Sequence, residues 1–243
     1  MKKRRFPYHI QRIFHWVGKA IDQYQMIEEG DRILVGVSGW DSLCLLWVLR
    51  ERLKWIPVKY EIKALYIDPG FDEKIRQVIE GYLKRELFDY DIIKTDIGVE
   101  AHKSNNQKNP CFFCSRERRK KLFTFAADIH YNKIALGHHL DDINATLFVN
   151  ILYGSSISTM KPRQDLFKGR ITIIRPFAFI YREQIQRLAN FLSLSPIVNP
   201  CPSSKNSQRK EINDFLNHFY KKDQRIRYNI FQAMRNVHRE YLP

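Results

Sequence analysis

Apolar residues recur at helical spacing between positions 9 and 27. Ile10, Ile13, Phe14, Val17, Ile21 and Tyr24 fall on one side of the cylinder and Arg12 and Lys19 elsewhere, which predicts a basic amphipathic helix. Ile33 to Val37 is a short apolar run that leads through Ser38-Gly39-Trp40-Asp41-Ser42 into a helical stretch from Leu43 to about Leu53, the order strand, tight turn, helix. The alternation then repeats. Strands are expected at Tyr60 to Ile67, Tyr90 to Thr95, Lys133 to Leu136 and Ile171 to Ile174, and helices at Phe71 to Leu87, Cys114 to Ala127, Asp141 to Tyr153 and Tyr181 to Leu192. Strands separated by helices pair in parallel, so the pattern predicts an α/β fold with a parallel sheet.

Three stretches break the pattern. Gly98 to Pro110 is polar and Asn-rich and reads as a surface loop, Gly154 to Arg170 as a second loop, and Pro196 to Ser204 as a Pro- and Ser-rich connection that holds Cys201. Beyond it the chain reads as one or two basic helices. The expected organisation is a basic amino-terminal helix over 1–29, an α/β domain over 30–200 and a basic helical extension over 201–243, without internal repeats.

Composition narrows the class. A chain of 243 residues buries one substantial core, and 28% charged with 44% hydrophobic residues is the balance of a globular enzyme. No apolar run approaches the roughly 20 residues of a membrane-spanning helix. Met1 to Arg5 is charged like the start of a signal peptide, but Gln, Arg, His and Lys interrupt the positions that follow, so a cytoplasmic protein is expected. Lys and Arg number 41 against 26 Asp and Glu, a net charge of +15. Such an excess keeps a protein soluble, and it also favours a polyanionic partner such as RNA.

The turn from Ser38 to Ser42 joins two hydroxyls, a glycine and backbone N–H groups at the carboxyl end of a strand and the start of a helix, a concavity that suits phosphate. It would also serve as a plain helix cap. Gly137 to Asp142 follows another strand, so in a parallel sheet it lies on the same carboxyl edge, where ligands of such folds bind. Asp141 or Asp142 could hold Mg²⁺ against phosphates there, or simply start a helix whose dipole favours acidic residues.

Cys111 and Cys114 form C-x-x-C, which in a reducing compartment suggests metal or redox chemistry, with zinc completed by a histidine such as His102 as one option. Cys44 sits in the apolar stretch Leu43 to Leu49 and reads as a small hydrophobe. The basic run Arg116 to Lys121 would ordinarily be a solvated helix face. Beside reactive cysteines it could hold RNA phosphates or ATP, with Arg118, one turn beyond Cys114, the leading candidate. Phe215, Phe219 and Tyr220 near the carboxyl terminus read as core at helical spacing rather than as base-stacking platforms.

Ser38-Gly39-Trp40-Asp41-Ser42 resembles the PP-loop of ATP pyrophosphatases, SGGxDS, with one glycine fewer and Trp40 in the loop. Pro110-Cys111-Phe112-Phe113-Cys114-Ser115-Arg116, then Leu136-Gly137-His138-His139-Leu140-Asp141-Asp142, then Pro200-Cys201 resemble tRNA 2-thiocytidine synthetases, and the likeness spans roughly residues 10 to 240. The resemblance implies an adenine nucleotide alpha hydrolase-like domain that binds ATP and Mg²⁺ through Ser38, Gly39, Asp41, Ser42, Asp68, Gly137, His138 and Asp141. Asp41, Asp141 and Arg118 would carry the catalytic roles. It implies a [4Fe-4S] cluster on Cys111, Cys114 and Cys201, whose fourth iron is left open to hold sulfur.

The implied reaction adenylates C2–O of a tRNA cytidine, by analogy cytidine 32 in the anticodon loop, and replaces that oxygen with sulfur. The sulfur would come from an upstream cysteine desulfurase or from sulfide. Homodimers are common in such a family. The missing glycine leaves room for two other readings, a catalytically impaired paralogue that binds RNA or carries a cluster, and a thiolase for another tRNA base. A lysidine-type ligase would share the loop but would have no use for the three cysteines.

Overall fold

A computed structural model describes residues 6–103, 109–195, 200–204 and 207–241. The basic start Met1 to Arg5, the middle of the Asn-rich stretch (104–108), positions 196–199 of the connection before Cys201, and Lys205 lie outside the described residues.

Six strands form one sheet in the order β3-β2-β1-β4-β6-β5. They are β1 (Arg32–Val37), β2 (Glu61–Asp68), β3 (Tyr90–Lys94), β4 (Lys133–Leu136), β5 (Arg163–Leu166) and β6 (Ile171–Ile174). β1 is central and pairs in parallel with β2 and β4, Val35 standing opposite Ala64 on one side and Ala135 on the other. Helices cover both faces, so β6 is buried at every position and β1 nearly so.

One expectation is corrected at the edge. β5 lies inside the stretch expected to be loop and runs antiparallel to β6, so the sheet is mixed rather than wholly parallel. Arg163-Gln164-Asp165-Leu166 carries no apolar alternation because an edge strand is only half covered. The hairpin turns through Phe167, Lys168 and Gly169, all at positive φ.

Around the sheet lie α1 (Tyr8–Gln23), α2 (Trp40–Arg52), α3 (Glu73–Arg85), α4 (Ile97–Ala101), α5 (Pro110–Asp128), α6 (Leu140–Gly154), α7 (Arg182–Phe191), α8 (Gln208–Lys222) and α9 (Arg225–Ala233). α1 presents Ile10, Ile13, Phe14, Val17, Ala20 and Ile21 to the main core. α2 is buried almost all round, Leu43 to Leu49 without a break, which is why its sequence shows no polar face. Burying each such Leu or Ile contributes about 1.5–3 kcal/mol. Cys44 is fully buried among them, and burial pushes its thiol pKa far up.

α4 is a short helix within the stretch read as loop, and α5 begins at Pro110 rather than at Cys114. Asn109 caps it by accepting the Phe112 N–H at 3.1 Å, and proline at the first helical position costs no hydrogen bond. Both cysteines of the C-x-x-C therefore stand at the amino end of one helix.

The carboxyl-terminal helices dock on α6 through Ile212, Leu216 and Tyr220, which pack on Ala145. Tyr220 is core as expected, whereas Phe215 and Phe219 are exposed. They sit one residue off the 212/216/220 stripe, about 100° round the helix, and pair with each other at 5.1 Å instead.

Candidate functional site

The strand order reverses between β1 and β4, so the turns that leave these two strands face each other across the carboxyl edge of the sheet. The first is the loop at Ser38. Gly39 caps α2, and the Ser42 hydroxyl accepts the Ser38 N–H at 2.9 Å and the Gly39 N–H at 3.2 Å while donating to the Gly39 carbonyl at 2.7 Å. One buried hydroxyl thus fixes the loop's curvature, with the amino end of α2 directed at the edge.

The second turn begins with Gly137. A Cβ there would stand 2.8 Å from the Ser42 nitrogen and 2.9 Å from the Asp41 carbonyl carbon, so only glycine lets the two turns touch backbone to backbone. Among the described residues no atom lies within 4 Å of a Cβ built on Gly39, whose side faces open space.

The acidic residues divide by environment. Asp141 is buried, one oxygen accepting from the Arg182 N–H at 2.8 Å and the other from Arg227 Nε at 2.9 Å. Asp142 accepts from the His139 N–H at 3.0 Å and pairs with Arg209 at 3.1 Å. Burial opposes its ionisation, but His139, Arg209 and His138 outweigh that and hold its pKa below the usual carboxylate value. Asp41, in the loop itself, takes part in none of these bonds. Burial pushes its pKa up, Asp142 adds to the rise, and His139 and Arg182 oppose it. A carboxylate in that condition gains from a bound cation.

Asp68, at the end of β2, accepts from the Gly70 N–H at 2.9 Å and pairs with Arg76 at 3.3 Å. Burial lowers the His138 pKa to about 4, and the neutral ring accepts from Arg175 Nε at 3.3 Å. Arg175, like Arg182 and Arg227, carries no expectation from the sequence, whereas His139 lies within the Leu136 to Asp142 motif. The signal for Arg175 was legible, a charged residue closing the apolar run Ile171–Ile174 at the strand's carboxyl end. Arg227 lies far along the chain and carried none.

Beside these turns a cleft of about 580 Å³ opens between α5 and the β5–β6 hairpin. Its floor is apolar, from Leu65, Ile67 and Ile173, and its polar wall holds Ser38, His138, Arg175, Arg118 and Arg119. Among the described residues the buried Nε of Arg118 has no hydrogen-bond partner, so it is a cationic donor directed at the cleft's polar wall. Size, apolar floor and convergent cations suit a nucleotide. A larger groove of about 700 Å³ runs between α7, α8 and α9 and, of the residues singled out from sequence, holds only Tyr220.

The thiols gather at the far side of Arg118. Burial raises the Cys114 pKa, Arg118 opposes the rise by charge and by hydrogen bonding, and Cys201 and Cys111 add to it, which brings three cysteines from two remote segments into one electrostatic neighbourhood. Cys111 is exposed and the other two half-buried. His102 lies 3.9 Å from the Cys201 sulfur, but its Nδ1 engages the Gly98 carbonyl at 2.8 Å and its Nε2 the Ser203 hydroxyl at 2.9 Å. Both ring nitrogens are therefore committed, which disfavours a zinc site completed by this histidine. Among the described residues no three His, Cys, Asp or Glu side chains are close enough to share one metal ion. Three thiols beside an arginine fit a polynuclear cluster, whose sulfur ligands stand further apart than those of a single ion.

A PP-loop domain model matches residues 13–218. The chain is 37% identical over 93% of its length to a tRNA-cytidine(32) 2-sulfurtransferase of Pseudomonas syringae pv. syringae (strain B728a), covering 84% of that protein. To the protein of that name from Azotobacter vinelandii (strain DJ / ATCC BAA-1303) it is 38% identical over 94% of its length, again covering 84%. Among solved structures it resembles the U34-tRNA thiolase NcsA from Methanococcus maripaludis with its [4Fe-4S] cluster, at a TM-score of 0.78 and 22% identity over 94% of this chain and 79% of that one, a likeness of fold.

Proposed function

The chain belongs to the PP-loop family of tRNA-cytidine(32) 2-sulfurtransferases, and from that premise we propose that it is an ATP-dependent tRNA thiolase acting on C2 of cytidine 32. The observation that carries the reading is the juxtaposition of a nucleotide-sized cleft and three thiols on the two sides of one residue, Arg118.

A carbonyl oxygen is a poor leaving group. Attack by the cytidine C2 oxygen on the α-phosphorus of ATP releases pyrophosphate, and sulfur addition at C2 then expels AMP, which carries the former carbonyl oxygen away. The Ser38 to Ser42 turn and the amino end of α2 hold the phosphates, with Asp41 as the carboxylate for Mg²⁺. Arg118 and Arg175 stabilise the charge that develops on the leaving phosphates. His138, neutral and bonded to Arg175, keeps that guanidinium turned toward the cleft. Asp141 acts by position, joining the start of α6 to Arg182 and Arg227. Asp68 braces the turn after β2.

Cys111, Cys114 and Cys201 would hold a [4Fe-4S] cluster, which would present sulfide-level sulfur to the activated base. That sulfur would come from sulfide, or from a cysteine desulfurase together with a two-electron thiol reductant. An anticodon-loop base is unpaired and can be splayed into the cleft, with the basic surface holding the tRNA backbone. No described helix is long and apolar enough to cross a membrane, in keeping with a cytoplasmic site of action.

The test is an anaerobic assay of protein reconstituted with iron and sulfide, measuring ATP-dependent 2-thiocytidine in unmodified tRNA. Product from the parent protein and none from Cys201→Ala supports the reading. An intact cluster with neither product nor AMP overturns it in favour of the non-catalytic paralogue.

A further inference from the structure

The β5–β6 hairpin flanks the cleft, and its tip holds a phenylalanine in a costly conformation. Phe167, Lys168 and Gly169 follow one another at φ of 53°, 59° and 84°, and the Arg170 N–H returns to the Phe167 carbonyl at 3.3 Å. The left-handed region suits glycine, and a bulky residue stays there only where the surrounding structure fixes it. The two strands do so. Leu166 stands opposite Ile171, and the Thr172 hydroxyl donates to Asp165 at 2.7 Å. Phe167 is 56% exposed, so burial offsets little of that cost. Its ring meets Phe123 of α5 at 5.5 Å and 79°, an edge-to-face contact that occupies at most one face of either ring. The pair lines both the cleft and a second cavity of about 530 Å³ between the end of α5 and the hairpin.

Cations surround this pair. Lys168 and Arg170 flank it on the tip, and Arg119 and Lys120 stand about one turn before Phe123 on α5, all four exposed. Among the described residues none of the four is paired with a carboxylate. Of the carboxylates on these elements, Asp165 pairs with Arg163 at 3.3 Å, Glu117 pairs with Arg116 at 3.0 Å, and Asp128 stands at the far end of α5. An exposed ring among unmatched cations is the combination that holds single-stranded RNA, the cations on phosphates and the ring on a base. Phe123 lies about 14 Å along the α5 axis from Cys114, at roughly 1.5 Å per residue. A base stacked on the pair is therefore within the same unpaired loop as a base held at the thiols, but is not that base.

We propose that the tip of the β5–β6 hairpin is an RNA contact, in which Phe167, braced by Phe123, stacks on a nucleotide of the anticodon loop beside the target base while Lys168 and Arg170 hold its phosphates. The hairpin thereby keeps the loop over the cleft. The proposal rests on the reading of the protein as a tRNA thiolase.

The experiment measures binding of unmodified tRNA to the full-length protein without nucleotide, from about 50 to about 200 mM salt. ATP affinity is measured separately by calorimetry. Phe167→Ala is expected to weaken tRNA binding about 5- to 150-fold with its salt dependence unchanged, because a stacked base releases no counterions. Phe167→Trp keeps a stacking face and is expected to bind within about threefold of the parent protein. Lys168→Asn, a change that positive φ tolerates, and Arg170→Gln are each expected to lower the slope of log affinity against log salt by about 0.7–0.9.

Unchanged tRNA affinity in Phe167→Ala overturns the contact, as does a loss that Phe167→Trp fails to restore. A matching fall in ATP affinity in Phe167→Ala also overturns it, by assigning the ring to the nucleotide. Unchanged salt slopes in both Lys168→Asn and Arg170→Gln overturn the phosphate contacts, and these two variants decide the matter should Phe167→Ala not fold. If the parent protein binds no tRNA, the thiolase reading itself falls, an outcome distinct from a parent that binds and a Phe167→Ala variant that binds equally well.

Discussion

The phosphate end of the cleft and the thiol end are built in different ways. At the phosphate end, two strand-to-helix turns meet backbone to backbone at Gly137 and Ser42, behind them lie buried strands, and Asp141 and Asp142 have short, named partners. At the thiol end, one helix start and one connecting arm bring up three cysteines, none of them buried, and among the described residues the arm is tied to the rest of the protein by hydrogen bonds that include those at Ser203 and Ser195. A loop that must cradle phosphate gains from stiffness, because its N–H groups bind only if they already point inward. A site that takes up sulfur and delivers it to a base needs access. Substitutions at the first end should therefore appear in stability and nucleotide affinity, and those at the second in chemistry.

The largest effect is expected at Asp141. Replacing it with Ala leaves the buried Arg227 guanidinium with only the more exposed Glu183 carboxylate and strands the Arg182 N–H. A loss of about 1.5–3 kcal/mol of stability is predicted, measured by denaturant unfolding. Cys201→Ala at the other end should leave that stability within about 1 kcal/mol of the parent while abolishing 2-thiocytidine formation. An equal loss of stability would erase the distinction between the two ends.

Next come the glycines. A Cβ on Gly137 would collide with the backbone of Asp41 and Ser42, so Gly137→Ala is predicted to cost about 1–3 kcal/mol and to weaken ATP binding roughly 5- to 100-fold by calorimetry. Gly39 has an extended φ of 170° and no neighbour within 4 Å of a Cβ, so Gly39→Ala should leave the fold's stability within about 0.5 kcal/mol. Any loss of ATP binding in it then reports contact with phosphate rather than folding.

The pH dependence gives an effect of comparable size that is spread across a window of pH. His138 titrates near 4 in the folded protein against an ordinary 6.5, so the unfolded chain binds more protons between those values. Its contribution is complete above about pH 6.5 and is lost as the pH falls toward 4, at no more than about 1.4 kcal/mol per pH unit. His138→Gln should flatten the stability curve in that window. Smallest of all is Arg209→Ala. The Asp142 partner is half-buried but Arg209 is 45% exposed, and the change should be under about 1 kcal/mol.

The order of strands and helices was legible because buried parallel strands and their covering helices impose strong periodicities, and β1, β4 and β6 fall where the apolar runs are. β5 was not, since an edge strand with Arg163, Gln164 and Asp165 has no pattern to show. The turn from Ser38 to Ser42 and the C-x-x-C of Cys111 and Cys114 were legible as local motifs, in which neighbouring residues are the candidates for the chemistry. What a motif does not contain is its partners. Asp141 stood out in the sequence, but that Arg227 and the Arg182 N–H occupy its two oxygens follows only from where α7 and α9 come to lie.

Trp40 shows the same division. By sequence it is a bulky residue in a loop short of a glycine, and by tertiary structure it is a donor to Ser195. Hydrophobic period and backbone turn chemistry act over a few residues and are written in the local sequence. Which remote carbonyl or guanidinium meets a given side chain depends on the packing of the whole chain, and only the folded structure decides it.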